Sequence, residues 1–190
     1  MIASPLAGNA VMDGVDWCGD NNAFGDNYPG DGPFLGWAAA RTPYADRCRF
    51  IVAPDVVCDA SATLDRSAPM LPAIRGLGFP AALVAQNGLE DLPVPWPSFD
   101  ALFIGGDTAW KLGPHARTLA SEAKGRGKWV HMGRVNSWAR LRYARLIGCD
   151  SVDGTYLAFG PDKNLARLLR WLAEVNDQGL LWGSLPEVES

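Results

Sequence analysis

The chain reads as an α/β protein, a compact or incomplete (β/α) barrel of the TIM type. Three observations predict this. Short apolar runs alternate with helical patterns, as parallel strands with crossover helices require. A polar or glycine-rich segment follows each run, where the reactive groups of such barrels sit. The 190 residues, 48% of them hydrophobic, are enough for a core but fall short of the ~250 of a typical eight-stranded barrel. Six or seven strands are expected. A doubly wound open sheet is the competing arrangement. Residues 1–190 are expected to form one catalytic domain.

The elements follow in order. Val11 to Trp17 is the first candidate strand, and the Gly/Asn/Asp/Pro-rich stretch Cys18 to Pro33 is a long loop. Phe34 to Tyr44 reads as a short helix and Arg49 to Ala53 as a strand. Ser61, as N-cap, opens a helix to Gly76 that Pro69 and Pro72 must kink or break. Ala81 to Ala85 and Ala101 to Ile104 are buried strands, ending at Gln86-Asn-Gly88 and Gly105-Gly-Asp107. Pro114 to Lys124 is a helix closed by Gly125, followed by a strand from Lys128 to Met132. Asn136 caps a helix through Ile147, and a short strand then carries Asp150 and Asp153. Lys163 to Val175 is amphipathic, with Leu165, Leu168, Leu169 and Leu172 on one face. Leu180-Leu-Trp182 is a candidate for docking on the body.

Composition narrows the function. No apolar run spans a bilayer, and Met1 to Ala10 lacks the basic start and apolar core of a signal peptide, so a cytoplasmic protein is expected. Cys18, Cys48, Cys58 and Cys149 are scattered without a C-x-x-C pair, which predicts reduced thiols and no metal site. From Lys111 to Arg170 twelve Lys and Arg stand against four acids, whereas the rest of the chain holds five bases and seventeen acids. A basic face on an acidic protein guides a polyanion to one side. Solvated helix faces are the alternative reading.

The chemistry is sought at the strand ends. Asp150 and Asp153 face opposite ways by strand alternation. Asp153, at the end of a buried strand, is costly unless paired or working. Asp20 and Asp59 are acids near other strand ends; for each, an N-cap or turn role competes. One carboxylate can attack an electrophilic carbon while a second moves a proton. Gln86 offers a donor and an acceptor to a heterocycle, and Gly105-Gly106 lets a flat ring approach the backbone. Arg134, Arg140 and Lys163 are candidate phosphate contacts. His131 is expected to face away from Met132 as a packed or surface residue. Trp110 and Trp138 read as core or as base-stacking surfaces.

Six segments in order resemble the tRNA-guanine transglycosylases, nearest to the bacterial and phage branch that inserts 7-deazaguanines into DNA. Gly19-Asp-Asn-Asn-Ala-Phe24 resembles the D-S-G-G-[FY] loop, which puts Asp20 on the general acid/base. Asp55-Val-Val-Cys-Asp59 resembles the base-reading segment and implies Asp59. Val84-Ala-Gln-Asn-Gly88 resembles V-Q-G and implies Gln86. Phe103-Ile-Gly-Gly106 resembles L-G-G, implying backbone contacts at Gly105. Lys128-Trp-Val-His-Met-Gly133 resembles K-P-R-Y-L-M-G, with Met132 packing on the base. Gly148-Cys-Asp-Ser-Val-Asp153 resembles G-x-D-x-[FV]-D, whose second aspartate, here Asp153, is the nucleophile. The chain departs from the family at Asn21, Asn22, Ala23 and Gly154. It also lacks the zinc-binding Cys/His segment that helps hold tRNA.

The resemblance implies a base-exchange enzyme without a cofactor. It would replace guanine in DNA by a free 7-deazaguanine base, through a covalent Asp153 intermediate. A glycosylase, a nucleoside deoxyribosyltransferase and a non-catalytic binding subunit remain open beside it. The family often forms dimers; the sequence leaves a homodimer and a partner subunit both open.

Overall fold

The computed structural model describes residues 1–24 and 27–178. Its strands are β1 Ile2–Ala3, β2 Trp17–Gly19, β3 Cys48–Val52, β4 Ala81–Ala85, β5 Ala101–Ile104, β6 Trp129–Met132 and β7 Ser151–Val152. They form one parallel sheet in the order β1-β2-β3-β4-β5-β6-β7, curled into an incomplete (β/α) barrel. Strand order never reverses, which separates it from a doubly wound sheet with its switch point. The helices are α1 Asp31–Ala39, α2 Ala60–Ser67, α3 Met70–Gly76, α4 Thr108–Lys111, α5 Pro114–Gly125, α6 Trp138–Leu146 and α7 Pro161–Gln178. None among the described residues is long and apolar enough to cross a membrane.

Two apolar layers lie on the two faces of the sheet. The outer layer holds Leu83, Leu102, Ile104, Val130 and Met132 against the helices, α5 contributing Ala116, Leu119, Ala120 and Ala123 at helical spacing. The smaller inner layer holds Phe50, Val52, Ala82, Val84 and Ala101, with Phe103 and Trp129 against them. β4 is buried along its whole length, as a strand covered on both faces must be. Register then decides which side chains point inward. Val84, Phe103, His131 and Ser151 are successive partners across β4 to β7. Two residues further along each strand, the same face is occupied by Gln86, Gly105, Gly133 and Asp153.

Acids at the opposite end lock the strand starts. Asp100 accepts from the Ala81 backbone N–H at 2.9 Å and from Arg75 Nε and Nη2 at 2.9 and 2.6 Å. Asp150 does the same for β6 and β7, accepting from the Val130 N–H at 2.8 Å and from Lys124 Nζ at 2.6 Å. Asp150 is therefore three residues and one barrel end away from Asp153.

Several boundaries differ from the sequence reading. The first strand is β1, and Val11 to Asp16 precedes β2 as a loop; two residues at an edge carry too little pattern to be seen. Asp59, not Ser61, caps α2, accepting from the Ala62 N–H at 2.9 Å. The expected 61–76 helix is two, α2 and α3, parted at Ala68-Pro69. Ser137, not Asn136, caps α6, because Asn136 Oδ1 accepts from the Thr155 and Tyr156 N–H groups. The leucine face of α7 is not core: Leu165, Leu169 and Leu172 are exposed, and Trp171 packs on Trp138 and Tyr156 instead. Leu180-Leu-Trp182 lies outside the described residues.

These layers predict a contrast. Leu102→Ala, fully buried between β5 and the helices, is expected to cost about 2–5 kcal/mol. Leu169→Ala, on the exposed face of α7, should stay within about 0.5 kcal/mol. Urea unfolding of the two variants measures both.

Candidate active site

The carboxyl ends of the strands enclose a cavity of about 330 Å³, in the ~300–1,000 Å³ range of small-ligand sites. Its floor is the upper part of the inner layer, Val52, Val84 and Phe103. Two glycines keep it open. A Cβ on Gly105 would stand 2.7 Å from Val84 Cγ1, and one on Gly133 would stand 2.7 Å from Phe103 Cε1. Polar groups converge from above: Asp20, Asp55, Gln86, Lys111, Arg134 and Asp153.

Asp153 follows β7 and is held at both oxygens. Oδ1 accepts from the Arg134 N–H at 2.8 Å, and Oδ2 lies 3.1 Å from His131 Nε2. Burial alone would raise its pKa. The His131 hydrogen bond, the Arg134 N–H and the Lys111 charge outweigh burial and hold it below the ordinary value. His131 is itself positioned from below. Trp129 Nε1, which can only donate, reaches Ser151 Oγ at 2.8 Å, and Ser151 Oγ lies 2.8 Å from His131 Nδ1. Both ring nitrogens of His131 thus have a polar partner, Nδ1 the serine hydroxyl and Nε2 the Asp153 carboxylate. Phe50 and Phe103 pack on the ring at 5.2 and 4.7 Å between centroids.

The opposite wall is acidic and hydrogen-bonded. Asp55 accepts from Asn21 Nδ2 at 2.8 Å and from Gln86 Nε2 at 2.6 Å. Gln86 Oε1 in turn accepts from the Cys58 and Gly106 N–H groups at 2.9 and 2.8 Å. Asp20 accepts from the Asn22 N–H at 2.6 Å. Burial pushes both carboxyls above the ordinary value, for Asp20 with help from the charges of Asp153 and Asp55. Two carboxylates in one cavity with pKa values driven apart are the signature of an acid and an ionised partner.

Backbone strain is concentrated here. Among the described residues, three non-glycine residues have positive φ: Asn22, Cys58 and Arg134. Each donates its backbone N–H to a cavity side chain, Asn22 to Asp20, Cys58 to Gln86 and Arg134 to Asp153. A left-handed non-glycine residue costs about 1–3 kcal/mol and persists only where its surroundings enforce it; here each aims a donor at a cavity side chain.

The structure brings together Asp20, Gln86, Gly105, Gly106, Arg134 and Asp153. It does not bring Asp59, whose side chain caps α2 at the surface; Asp55 fills the corresponding place in the cavity. Met132 is also displaced. Its partner is Ile104, and both belong to the outer layer, so strand alternation turns His131 and Gly133 inward instead. The expectation for His131 identified its alternation from Met132 but reversed which of the two faces the site. Gly105 lines the cavity, yet its N–H is spent on the Ala85 carbonyl. Arg140 is half-buried and donates to the Arg134 carbonyl; Lys163 is exposed at the start of α7, outside the cavity. Trp110 is core, donating to Glu90, and Trp138 packs on Trp171. Asp55, Lys111 and His131 are the functional candidates the sequence reading passed over. Among the described residues no group of three or more His, Cys, Asp or Glu could hold a metal ion.

No family model and no curated protein matches the chain. Among solved structures it is similar to the PaMucR phosphodiesterase in its c-di-GMP complex, with a TM-score of 0.44 and 14% identity. That match covers 75% of this chain and 60% of the phosphodiesterase chain.

The opposed environments fix the sign of two titrations. Asp153, with its lowered pKa, stabilises the fold above the ordinary 3.8 and loses that contribution as pH falls through its folded value. Asp20, with its raised pKa, withdraws stability as pH rises from 3.8 toward its folded value. Carboxyl-carbon NMR should show Asp153 titrating below 3.8 and Asp20 above it. In His131→Phe the Asp153 transition should move upward.

Proposed function

We propose that the protein is a base-exchange enzyme acting at a purine N-glycosidic bond, with guanine in DNA as the base replaced and a 7-deazaguanine as the base inserted. The observation that carries the reading is the convergence of Asp153 and Asp20 on one cavity in opposite protonation environments. Ionised Asp153 attacks the anomeric carbon; the C1′–N9 bond breaks and a glycosyl ester forms. Protonated Asp20 gives its proton to the departing base. The incoming base gives its own ring N–H proton to Asp20 as that nitrogen displaces the Asp153 carboxylate, restoring both groups. Asp55 takes the base-reading place the resemblance gave to Asp59: its oxygens keep lone pairs toward the cavity for the N–H donors of a guanine-type edge. Gln86 orients Asp55 and retains one free N–H. A base in duplex DNA must leave the stack to enter. The choice of DNA, and of a 7-deazaguanine as the incoming base, rests on the resemblance of the six strand-end segments.

The experiment supplies guanine-labelled DNA, tRNA and free deoxyguanosine, with and without a 7-deazaguanine. Guanine release only when the deazaguanine is present supports exchange; release without it shows hydrolysis. Asp153→Asn should lower release by at least ~10⁴-fold and remove any covalent adduct. Asp20→Asn should lower it by ~10²–10⁴-fold. The rate should rise with pH as Asp153 ionises and fall as Asp20 loses its proton. Full activity in Asp153→Asn would overturn the mechanism.

A further inference from the structure

Beside Asp153 the cavity wall carries two cations, Lys111 and Arg134, with a third, Arg140, bonded to the Arg134 carbonyl outside the lining. Lys111, at the end of α4, is 4% exposed, and its Nζ donates to the Gly133 carbonyl at 2.7 Å. Arg134 donates through Nη2 to the Gly106 carbonyl, with its guanidinium 4.8 Å from the Phe24 ring centroid. Arg140 Nη1 donates to the Arg134 carbonyl at 3.2 Å. Each is tied to a backbone carbonyl, and among the described residues none forms an ion pair within 4.0 Å. Asp107, an acid near Arg134, spends its oxygens on Asn87 Nδ2 and the Trp110 N–H. A buried ammonium with one carbonyl partner keeps two N–H donors and a large desolvation cost. An anion in the cavity satisfies both.

We propose that Lys111, Arg134 and Arg140 form an anion subsite for the phosphate flanking the sugar that Asp153 attacks, so that the pocket takes nucleotides and polynucleotides and discriminates against free nucleosides. The inference deepens the base-exchange reading and rests on it for the position of the sugar. The sugar lies at Asp153, whose Oδ1 is bonded to the Arg134 N–H, so a phosphate on that sugar falls next to the Arg134 side chain. Lys111 is held by the carbonyl of Gly133, the residue before Arg134. Desolvation and the neighbouring charges of Arg134 and Arg140 pull the Lys111 pKa down to about 8, against the pull of Asp153 and Cys58. A bound anion reverses that pull and keeps the ammonium charged.

The test is direct binding, which requires no turnover. The full chain is titrated calorimetrically with deoxyguanosine, with its 3′- and 5′-monophosphates, and with inorganic sulfate, whose charge is constant across the range used. One of the monophosphates should bind at least ~10-fold tighter than deoxyguanosine, and sulfate should compete with it. Lys111→Met should abolish sulfate binding and remove the preference for the monophosphate over deoxyguanosine. Arg140→Gln, at a half-buried position, should weaken sulfate by a smaller factor. If Lys111→Met does not fold, the wild-type pH series decides: sulfate affinity should fall as pH rises through about 8, with the same transition in Cys58→Ser. Equal affinity for nucleoside and both monophosphates, or sulfate binding that ignores pH and Arg140, overturns the subsite and leaves base exchange untouched. Sulfate binding governed by Lys111, in a protein that releases no guanine, would keep an anion site and discard the reading of Asp153.

Discussion

Asp153 is half enclosed by protein yet held below the ordinary carboxyl pKa, and the rest of the site is built on the groups that hold it there. A carboxylate leaving water loses far more solvation than one hydrogen bond returns. Two donors and a cation make up the difference: the Arg134 N–H, the His131 ring and Lys111. Each donor has its own support. The His131 ring is fixed between Phe50, Phe103 and Ser151, and Ser151 is fixed by Trp129. The chain Trp129–Ser151–His131–Asp153 contains the residue types of a hydrolytic triad, but its serine accepts from an indole and sits below the cavity, outside its lining. It serves as an orienting column, with the carboxylate as its working end.

The three left-handed residues extend the same logic to the cavity's other walls. A loop leaving a parallel strand normally turns its N–H groups toward solvent or a following helix. At Asn22, Cys58 and Arg134 the reversed φ turns one N–H back over the barrel mouth, onto Asp20, Gln86 and Asp153 respectively. Backbone donors carry no side-chain entropy, so the acceptors are held without long flexible partners. The strain is local, and the adjoining strands, buried and hydrogen-bonded, are rigid enough to impose it.

The architecture was legible in the sequence because parallel strands covered on both faces leave uninterrupted apolar runs; Ala81–Ala85 and Ala101–Ile104 match to the residue. The two-residue strands β1 and β7 have no such run, and β1 went unseen. At the site, Asp153 was legible because an acid at the end of a buried strand is costly unless paired or working, whereas Asp20, for which a turn role competed, was singled out by the resemblance of its segment. Asp59 was misleading because an aspartate before a helix has one very good use, as a cap, and Asp55 was hidden four residues earlier. Met132 failed for a purely geometric reason. Alternation sets His131 opposite Met132, but only the pairing Phe103–His131 fixes which of the two faces inward. Lys111 was not recoverable: nothing in a short helix marks one lysine as buried.

Sheet order explains why the charge asymmetry of the chain matters. Every strand neighbours its predecessor, so position along the sequence becomes position around the barrel mouth. The acid-rich first part delivers Asp20 and Asp55 after β2 and β3; the basic part from Lys111 onward delivers Lys111 and Arg134 after β5 and β6. A gradient of charge along the chain thus becomes a gradient across a single cavity, steep because the apolar floor between the walls screens it little. In the proposed reaction a nucleotide is polar in the same sense, with base N–H donors at one end and phosphate at the other. Matching the two would set its anomeric carbon beside Asp153, at the basic wall. In a fold that reorders its strands the same sequence asymmetry would be scattered. Here it remains one gradient across one cavity.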